Sequence, residues 1–202
     1  MKSMKAMADA ALMPMTLVHA STDENSDDAV MCRVQAGAVQ ELGHLFDRHQ
    51  TALLNYFLRL GAQRASAEDL VQDTFVRILK YRATYRPGSR FTTWMYSIAR
   101  NARLNEWHKR RGETEWDEAY APSTTPGDGA QEEQERRLLA MAMARLPQEK
   151  REILVLSRYQ EMKHEEIGVL LGCETNTVKV RVHRAMRELR EHYMVLANRG
   201  GL

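Results

Sequence analysis

Apolar residues recur at helical spacing along most of this chain, and that periodicity stops in a single stretch. Leucine, valine and aromatic side chains return every three or four residues over 39–60, 66–80, 91–107 and 132–196. Between Gly112 and Ala130 the pattern gives way to Pro, Gly, Ser and Thr, the composition of a linker. Strand-like alternation of useful length is absent from the sequence. We therefore expect an all-α fold of two small helical domains joined by a flexible linker.

Charge is distributed unevenly around this linker. The chain carries a formal net charge of +2, yet residues 112–135 contain no Lys or Arg and eight carboxylates: Glu113, Glu115, Asp117, Glu118, Asp128, Glu132, Glu133 and Glu135. The flanking helices are basic. Such asymmetry is typical of a protein that meets nucleic acid in some segments and avoids it in another. The expected organisation is a disordered N-terminal extension (1–35), a first domain (36–111), the flexible acidic linker (112–131) and a second domain (132–196).

Several classes of protein are excluded by what the sequence lacks. Cys32 and Cys173 are too few for a disulfide framework, which favours a reducing cytoplasm. Asp9 and Pro14 interrupt the apolar run near the N-terminus, so we expect neither a signal peptide nor membrane insertion. The histidines are scattered, and no Gly-rich phosphate loop is present. We therefore predict a non-enzymatic protein with no metal and no cofactor.

The second domain contains a helix-turn-helix pattern. A short helix over 165–171 is followed by a tight turn at Gly172, and Thr175 is the expected N-cap of a longer helix. Its inward positions are predicted to be Val178, Val182, Met186 and Leu189. Its outer face is basic and can bridge phosphates or donate to guanine edges. The simpler alternative is a solvated helix that happens to be basic.

The stretch FTTWMYSIARNARLNEWHKRR, residues 91–111, carries aromatic residues on two faces of one predicted helix. One face is the expected core stripe: Phe91, Trp94, Met95, Ile98 and Ala102. The other combines aromatic, cationic and amide side chains: Tyr96, Arg100, Asn101, Arg103, Asn105 and Trp107. This combination is suited to holding unstacked bases and a phosphate backbone. Alternatively, Tyr96 and Trp107 pack on a neighbouring helix.

An acidic helix is predicted to precede this one. Ser66 stands three residues before Asp69, which is the spacing of a capping box, and a buried stripe follows at Val71, Phe75, Ile78 and Leu79. The outward face holds Asp69, Gln72, Asp73 and Val76. From the residues alone, the simplest interpretation of this face is solvated charge.

The ordered motifs AEDLVQDTFVRI, FTTWMYSIARNARLNEW and LPQEKREILVLSRYQEMKHEEIGVLLGCETNTVKVRVHRAMRELR resemble the sigma factors of bacterial RNA polymerase. The resemblance is to the extracytoplasmic-function group, group IV of the sigma-70 family, and it covers about 39–196. It implies that sigma domain 2 binds the clamp of core RNA polymerase and melts the minus-ten element. Sigma domain 4 would bind the flap and read the minus-thirty-five element, and the linker would thread toward the polymerase channels. The resemblance also implies promoter DNA and an anti-sigma factor as partners and a stress- or signal-responsive regulon.

Residue by residue, the resemblance assigns three surfaces. Core polymerase would be bound by Asp69, Gln72, Asp73 and Val76. The minus-ten element would be contacted by Tyr96, Arg100, Asn101, Arg103, Asn105, Lys109 and Arg110, with the loop 85–90 receiving a flipped base. The minus-thirty-five element would be contacted by Thr177, Lys179, Arg181, His183, Arg184 and Arg187.

This chain differs from the family pattern at two positions, and the residues also leave two alternative functions open. The family often has Gly and Ser where this chain has Asn176 and Val180, which affects the contacts expected at the start of the recognition helix. One alternative is a conventional helix-turn-helix regulator that acts on duplex DNA without core polymerase. The other is an interaction module whose DNA surfaces are inactive.

Overall fold

The computed structural model describes residues 24–110 and 130–199, with the side chains of 107–110, 130 and 199 outside the description. Throughout these ranges the regular structure is helical, and the all-α prediction is confirmed. The α-helices within them are α1 Asp27–Gln35, α2 Leu42–Arg59, α3 Arg64–Tyr81, α4 Phe91–Arg110, α5 Ala130–Ala144, α6 Gln148–Leu154, α7 His164–Leu171 and α8 Thr175–Arg199. The predicted acidic linker lies outside the described residues, except that positions 130 and 131 belong to α5.

Helices α1 to α4 form the N-terminal bundle. Helix α3 packs against both α2 and α4, and α1 packs on α2. The predicted core stripe of α4 is confirmed, since Phe91, Met95, Ile98 and Ala102 are buried and Trp94 packs on them partly buried. These residues stand at i, i+3, i+4, i+7 and i+11, so one face of α4 supplies a continuous apolar surface.

Helix α1 corrects the prediction that residues 1–35 are a disordered extension. The Ser26 hydroxyl accepts a hydrogen bond from Ala29 N at 3.3 Å and caps the helix. Val30, Met31 and Val34 are fully buried against the bundle. Three buried apolar side chains offset the entropy of ordering a nine-residue segment. Residues 1–23 lie outside the described part of the chain.

The start of α3 also differs from expectation. The helix begins at Arg64, after Gln63 in the N-cap position, so Ser66 lies within the first turn instead of preceding it. Ser66 is 8% exposed and belongs to the buried face. The predicted capping box is therefore wrong, because Ser66 lies inside the first turn of the helix and not in the N-cap position.

Helices α5 to α8 form the C-terminal bundle, in which α5, α6 and α7 all pack on the long α8. Helix α6 ends in a π-helical turn, Val155–Tyr159. Val155 and Leu156 from this turn are buried with Ile167 and Val178. This core is continuous with that of the N-terminal bundle, so the two bundles pack directly against each other.

Candidate functional site

The turn between α7 and α8 is closed by two glycines. Gly172 ends α7 with φ +66°, a left-handed conformation that glycine adopts without steric cost, and Cys173 N donates to the Gly168 carbonyl oxygen at 2.9 Å. A Cβ on Gly168 would lie 2.7 Å from the Cys173 carbonyl oxygen. The two helices of the motif therefore meet at a spacing that a larger residue at 168 does not permit.

The outer face of α8 is basic and open. The predicted minus-thirty-five residues Lys179, Arg181, His183, Arg184 and Arg187 are all exposed, and Thr177 is half-buried at the start of the helix. Arg187 lies 3.8 Å from Glu191 on the same face. The fold therefore presents these side chains together on one solvent-facing surface.

The inner face of α8 differs in part from expectation. Val178 and Val182 are buried as predicted, and Leu189 is partly buried. Met186 is 37% exposed, and Ala185 is fully buried in its place. The small Ala185 side chain is the one that faces the bundle, so Met186 is displaced to the edge beside α5. The sequence predicted Thr175 as the N-cap residue that precedes α8. In the structure Thr175 is instead the first residue of the helix.

The outward face of α3 is brought together as predicted. Asp69, Gln72 and Val76 are exposed, and the exposed fraction of Val76 is 64%. Asp73 pairs with Arg77 one turn later, with Oδ2 2.7 Å from Nε. An acidic surface with an uncovered valine is suited to docking a protein that offers cations around an apolar contact.

The second face of α4 is divided between solvent and the C-terminal bundle. Asn101 and Asn105 are exposed, whereas Tyr96 is 3% exposed and Arg103 is 4% exposed. Tyr96 packs on Tyr56 with ring centroids 5.1 Å apart. This is the packing that the sequence left open as the alternative for Tyr96. The predicted Lys109 and Arg110 side chains, and that of Trp107, lie outside the described residues.

Glu152 of α6 is the centre of the contact between the bundles. It is 5% exposed, its Oε1 lies 3.2 Å from Arg100 Nε, and it accepts a hydrogen bond from the Tyr56 hydroxyl at 3.2 Å. Burial raises the pKa of Tyr56 well above its ordinary value, and the Glu152 charge raises it further. The hydroxyl is therefore a donor at every physiological pH. Sequence reasoning missed Glu152, because a single carboxylate in an amphipathic helix gives no sign of being buried.

Further polar contacts surround Glu152. With its amide oxygen turned toward the guanidinium, Gln148 accepts from Arg103 Nη1 at 2.9 Å and from Nη2 at 2.5 Å. The Tyr96 hydroxyl donates to the Gln160 side chain. Arg103 and Tyr96, which the sequence predicted to hold DNA, therefore contact side chains of the C-terminal bundle.

Two more contacts extend this interface beyond α6. Arg90, at the start of α4, pairs with Glu166 of α7 with Nη1 2.7 Å from Oε1. The Arg59 guanidinium lies over the Tyr159 ring, 4.2 Å from its centroid. Nearby, burial lowers the pKa of Arg151, and the neighbouring Arg103 lowers it further. Among the described residues, the contact between the bundles thus holds Arg59, Arg90, Arg100 and Arg103, of which Arg90 and Arg100 pair with carboxylates.

Across 24–110 and 130–199 no helix combines the length and apolarity required to cross a bilayer. In the same ranges, no three His, Cys, Asp or Glu side chains cluster closely enough to hold a metal ion.

Comparison with known families matches both bundles. The model of Sigma-70 region 2 matches residues 45–113, and that of Sigma-70 region 4 matches residues 136–189. The first match spans α2 to α4 and the acidic face of α3. The second spans most of the C-terminal bundle, including the helix-turn-helix.

Similar proteins and structures agree with these matches. RNA polymerase sigma factor CarQ of Myxococcus xanthus is 34% identical over 80% of this chain and 94% of its own length. ECF RNA polymerase sigma factor SigL of Mycobacterium tuberculosis H37Rv is 33% identical over 79% of this chain and 94% of its own. Sigma factor RpoE of Bartonella quintana, solved with the anti-sigma factor NepR, is 26% identical, with a TM-score of 0.62 over 77% of this chain and 96% of that one. The fold is also that of CnrH, solved with the cytosolic domain of CnrY, at 24% identity and a TM-score of 0.64 over 82% of this chain and 95% of that one. The chain therefore belongs to the extracytoplasmic-function group of the sigma-70 family, the sigma factors that bind RNA polymerase and direct transcription initiation.

Proposed function

We propose that the two bundles divide promoter recognition between them. The C-terminal bundle, as sigma domain 4, reads the minus-thirty-five element through α8 and binds the polymerase flap. The N-terminal bundle, as sigma domain 2, binds the clamp and opens the minus-ten element. The observation that carries this proposal is the exposed basic face of α8 behind a glycine-closed turn. Family membership weighs against a regulator that acts without polymerase.

The outward face of α3 is proposed as the clamp-binding surface. Reversing Asp69 and Asp73 to Lys replaces two carboxylates on this face and sets a new cation beside Arg77. We expect run-off transcription with core RNA polymerase to fall at least tenfold, because like charges across an interface oppose docking. The assay uses purified core enzyme and genomic DNA fragments, with start sites mapped with and without the protein.

Asp47 offers a matched control for this experiment. It is an exposed carboxylate on α2 and belongs to none of the three predicted surfaces. Asp47→Lys should leave the start sites and yield unchanged. Transcription by the double variant at the wild-type level would remove α3 from the clamp interface, and no start sites with wild-type protein would contradict the proposed function as a whole.

The second face of α4 and the loop 85–90 are proposed to hold the opened minus-ten strand. Asn101 and Asn105 are accessible for this, while Tyr96, Arg100 and Arg103 are covered by the C-terminal bundle. Contact between those three side chains and DNA therefore requires the C-terminal bundle to leave α4. Binding to core polymerase is proposed to supply this separation by holding the two bundles on different parts of the enzyme.

An anti-sigma factor is proposed as a further partner, in the cytoplasm. Support comes from the Bartonella quintana sigma factor, which was solved with its anti-sigma factor NepR and has the same fold. A partner that stabilises the packed bundles would keep the predicted minus-ten side chains covered. Affinity purification of the chain from its own cells, followed by transcription assays with the captured protein, tests this directly.

A further inference from the structure

Helix α1 contacts the loop that we propose receives a flipped promoter base. The Asp28 carboxylate accepts a hydrogen bond from Gly88 N, with Oδ1 at 3.1 Å and Oδ2 at 3.3 Å. The Tyr85 hydroxyl lies 2.6 Å from Asp28 Oδ1. Gln35, at the other end of α1, donates from Nε2 to the Tyr85 carbonyl oxygen at 3.0 Å. Both ends of α1 are therefore bonded to residues at the base or the tip of this loop.

The loop has an anchored base and an exposed tip. Tyr85 is 2% exposed and packs edge-on against Trp94, with ring centroids 5.2 Å apart. Residues 86–90 are all exposed. At the tip, Gly88 has φ +81°, and Ser89 N donates back to the Arg86 carbonyl oxygen at 3.0 Å. Among the described residues, the tip is held by three further contacts: Gly88 N donates to Asp28, the Tyr85 hydroxyl donates to the Ser89 carbonyl oxygen, and Arg90 pairs with Glu166 of α7.

We infer that Asp28 is a positioning residue that holds the loop 85–90 in its base-receiving conformation. This inference rests on the proposed function of the loop. An exposed Pro-Gly-Ser tip samples many conformations unless a bond restrains it, and ordering it on binding would reduce the affinity. The carboxylate fixes the tip through Gly88 N before any base arrives. It also orients Tyr85, whose single hydroxyl proton is shared between Asp28 and the Ser89 carbonyl oxygen at 2.8 Å.

The test measures capture of a single base by the holoenzyme. The probe is the non-template strand of a promoter mapped by run-off transcription, together with copies that carry an abasic site at each minus-ten position in turn. The wild-type holoenzyme should bind the intact strand more tightly than the copy abasic at the captured position. Asp28→Ala should weaken binding of the intact strand about tenfold and leave binding of that abasic copy unchanged, because the lost bonds are charge-assisted.

Two matched variants separate positioning from the folding of α1. Asp28→Asn keeps an oxygen at the Oδ1 position, which faces both Tyr85 and Gly88, so it should retain most of the capture. Asp27→Ala removes the neighbouring carboxylate, which pairs with Arg48 and His49 on α2 and makes no contact with the loop among those described. It should lower the stability of α1 docking but preserve the preference for the intact strand.

Each outcome is decisive. A base preference that survives Asp28→Ala, or that falls equally in Asp27→Ala, would overturn the positioning role while leaving the loop's function intact. A wild-type holoenzyme that binds every abasic copy as well as the intact strand would overturn the proposed function of the loop and the inference with it. Loss of preference in Asp28→Ala alone, with core polymerase binding unchanged, supports the inference.

Discussion

Gly168 is the residue on which the geometry of the helix-turn-helix depends most directly. An alanine there would place Cβ 2.7 Å from a backbone oxygen of the turn, an atom that cannot rotate away. In an unhindered helix the same change stabilises by up to about 1 kcal/mol. We expect the clash to prevail, so Gly168→Ala should lower the free energy of unfolding by about 1–3 kcal/mol and weaken minus-thirty-five recognition. Urea unfolding and binding to a minus-thirty-five duplex measure the two effects.

Gly43 supplies the control for this prediction. It lies in α2, is exposed, and a Cβ built on it meets nothing within 4 Å. Gly43→Ala should therefore be neutral or raise stability by about 0.5 kcal/mol, since only the backbone propensity changes. Equal stabilisation in both variants would mean that the turn after α7 shifts freely to accept a methyl group.

Asp27 gives the protein a defined response to acid. The hydrogen bond from His49, 2.6 Å away, holds the pKa of Asp27 below its ordinary value of 3.8, and Arg48 acts in the same direction. A carboxyl with a lowered folded pKa contributes stability above its unfolded pKa and loses it as pH falls through the folded value. Asp27→Asn should thus cost about 1 kcal/mol at pH 7, with the difference shrinking below pH 3.8.

Urea unfolding of both proteins across this pH range measures the difference. Asp47→Asn, an exposed change on α2, controls for the general loss of one negative charge. A deficit in Asp27→Asn that stays constant down to the lowest pH would mean that the carboxylate acts through packing rather than through its charge.

At the scale of helices, the predictable features were those with a long apolar stripe. The α4 stripe from Phe91 to Ala102 repeats over three turns, and the structure buries it as expected. Helix α1 was missed because nine residues hold one short apolar group, too few for periodicity to stand out. The start of α3 was predicted at the wrong residue, because a serine such as Ser66 is suited both to an N-cap and to a buried position within a helix. Its burial depends on tertiary packing, which sequence spacing does not encode.

The recognition helix α8 carries a prediction that distinguishes two kinds of DNA contact. Arg184 is exposed on its outer face, so Arg184→Ala should change stability by less than about 0.5 kcal/mol. If Arg184 contacts a base edge, the variant should lose about 1–3 kcal/mol of binding at one position of the minus-thirty-five element. A uniform loss across all sequences would identify a phosphate contact. Arg190 is an exposed arginine of α8 outside the predicted set. Arg190→Ala should cause neither a loss of binding at one position nor a uniform loss across all sequences.

At the scale of the whole molecule, the packing of one bundle on the other could not be predicted from the sequence. Tyr96, Arg100 and Arg103 have the composition of a nucleic-acid surface, and the C-terminal bundle uses the same chemistry to cover them. Glu152 provides to Arg100 the negative charge that a phosphate backbone would provide in the proposed DNA contact. The match is imperfect, because within the described part of the chain the buried Nε of Arg103 has no hydrogen-bond partner. Because the C-terminal bundle leaves a donor of Arg103 without a partner, a polyanion can compete with that bundle for this face of α4.

Replacing Glu152 with Gln should therefore shift the molecule toward separated bundles. The variant removes the carboxylate that pairs with Arg100 beside the buried Arg103, a loss of about 3 kcal/mol or roughly a hundredfold in the opening equilibrium. The radius of gyration from small-angle X-ray scattering should rise, and the free protein should bind single-stranded minus-ten DNA more tightly, since the competent fraction increases. Glu149→Gln, an exposed change one turn earlier in α6, should alter neither measurement. A Glu152→Gln protein as compact as the wild type would mean that apolar packing between the bundles, and not this carboxylate, keeps α4 covered.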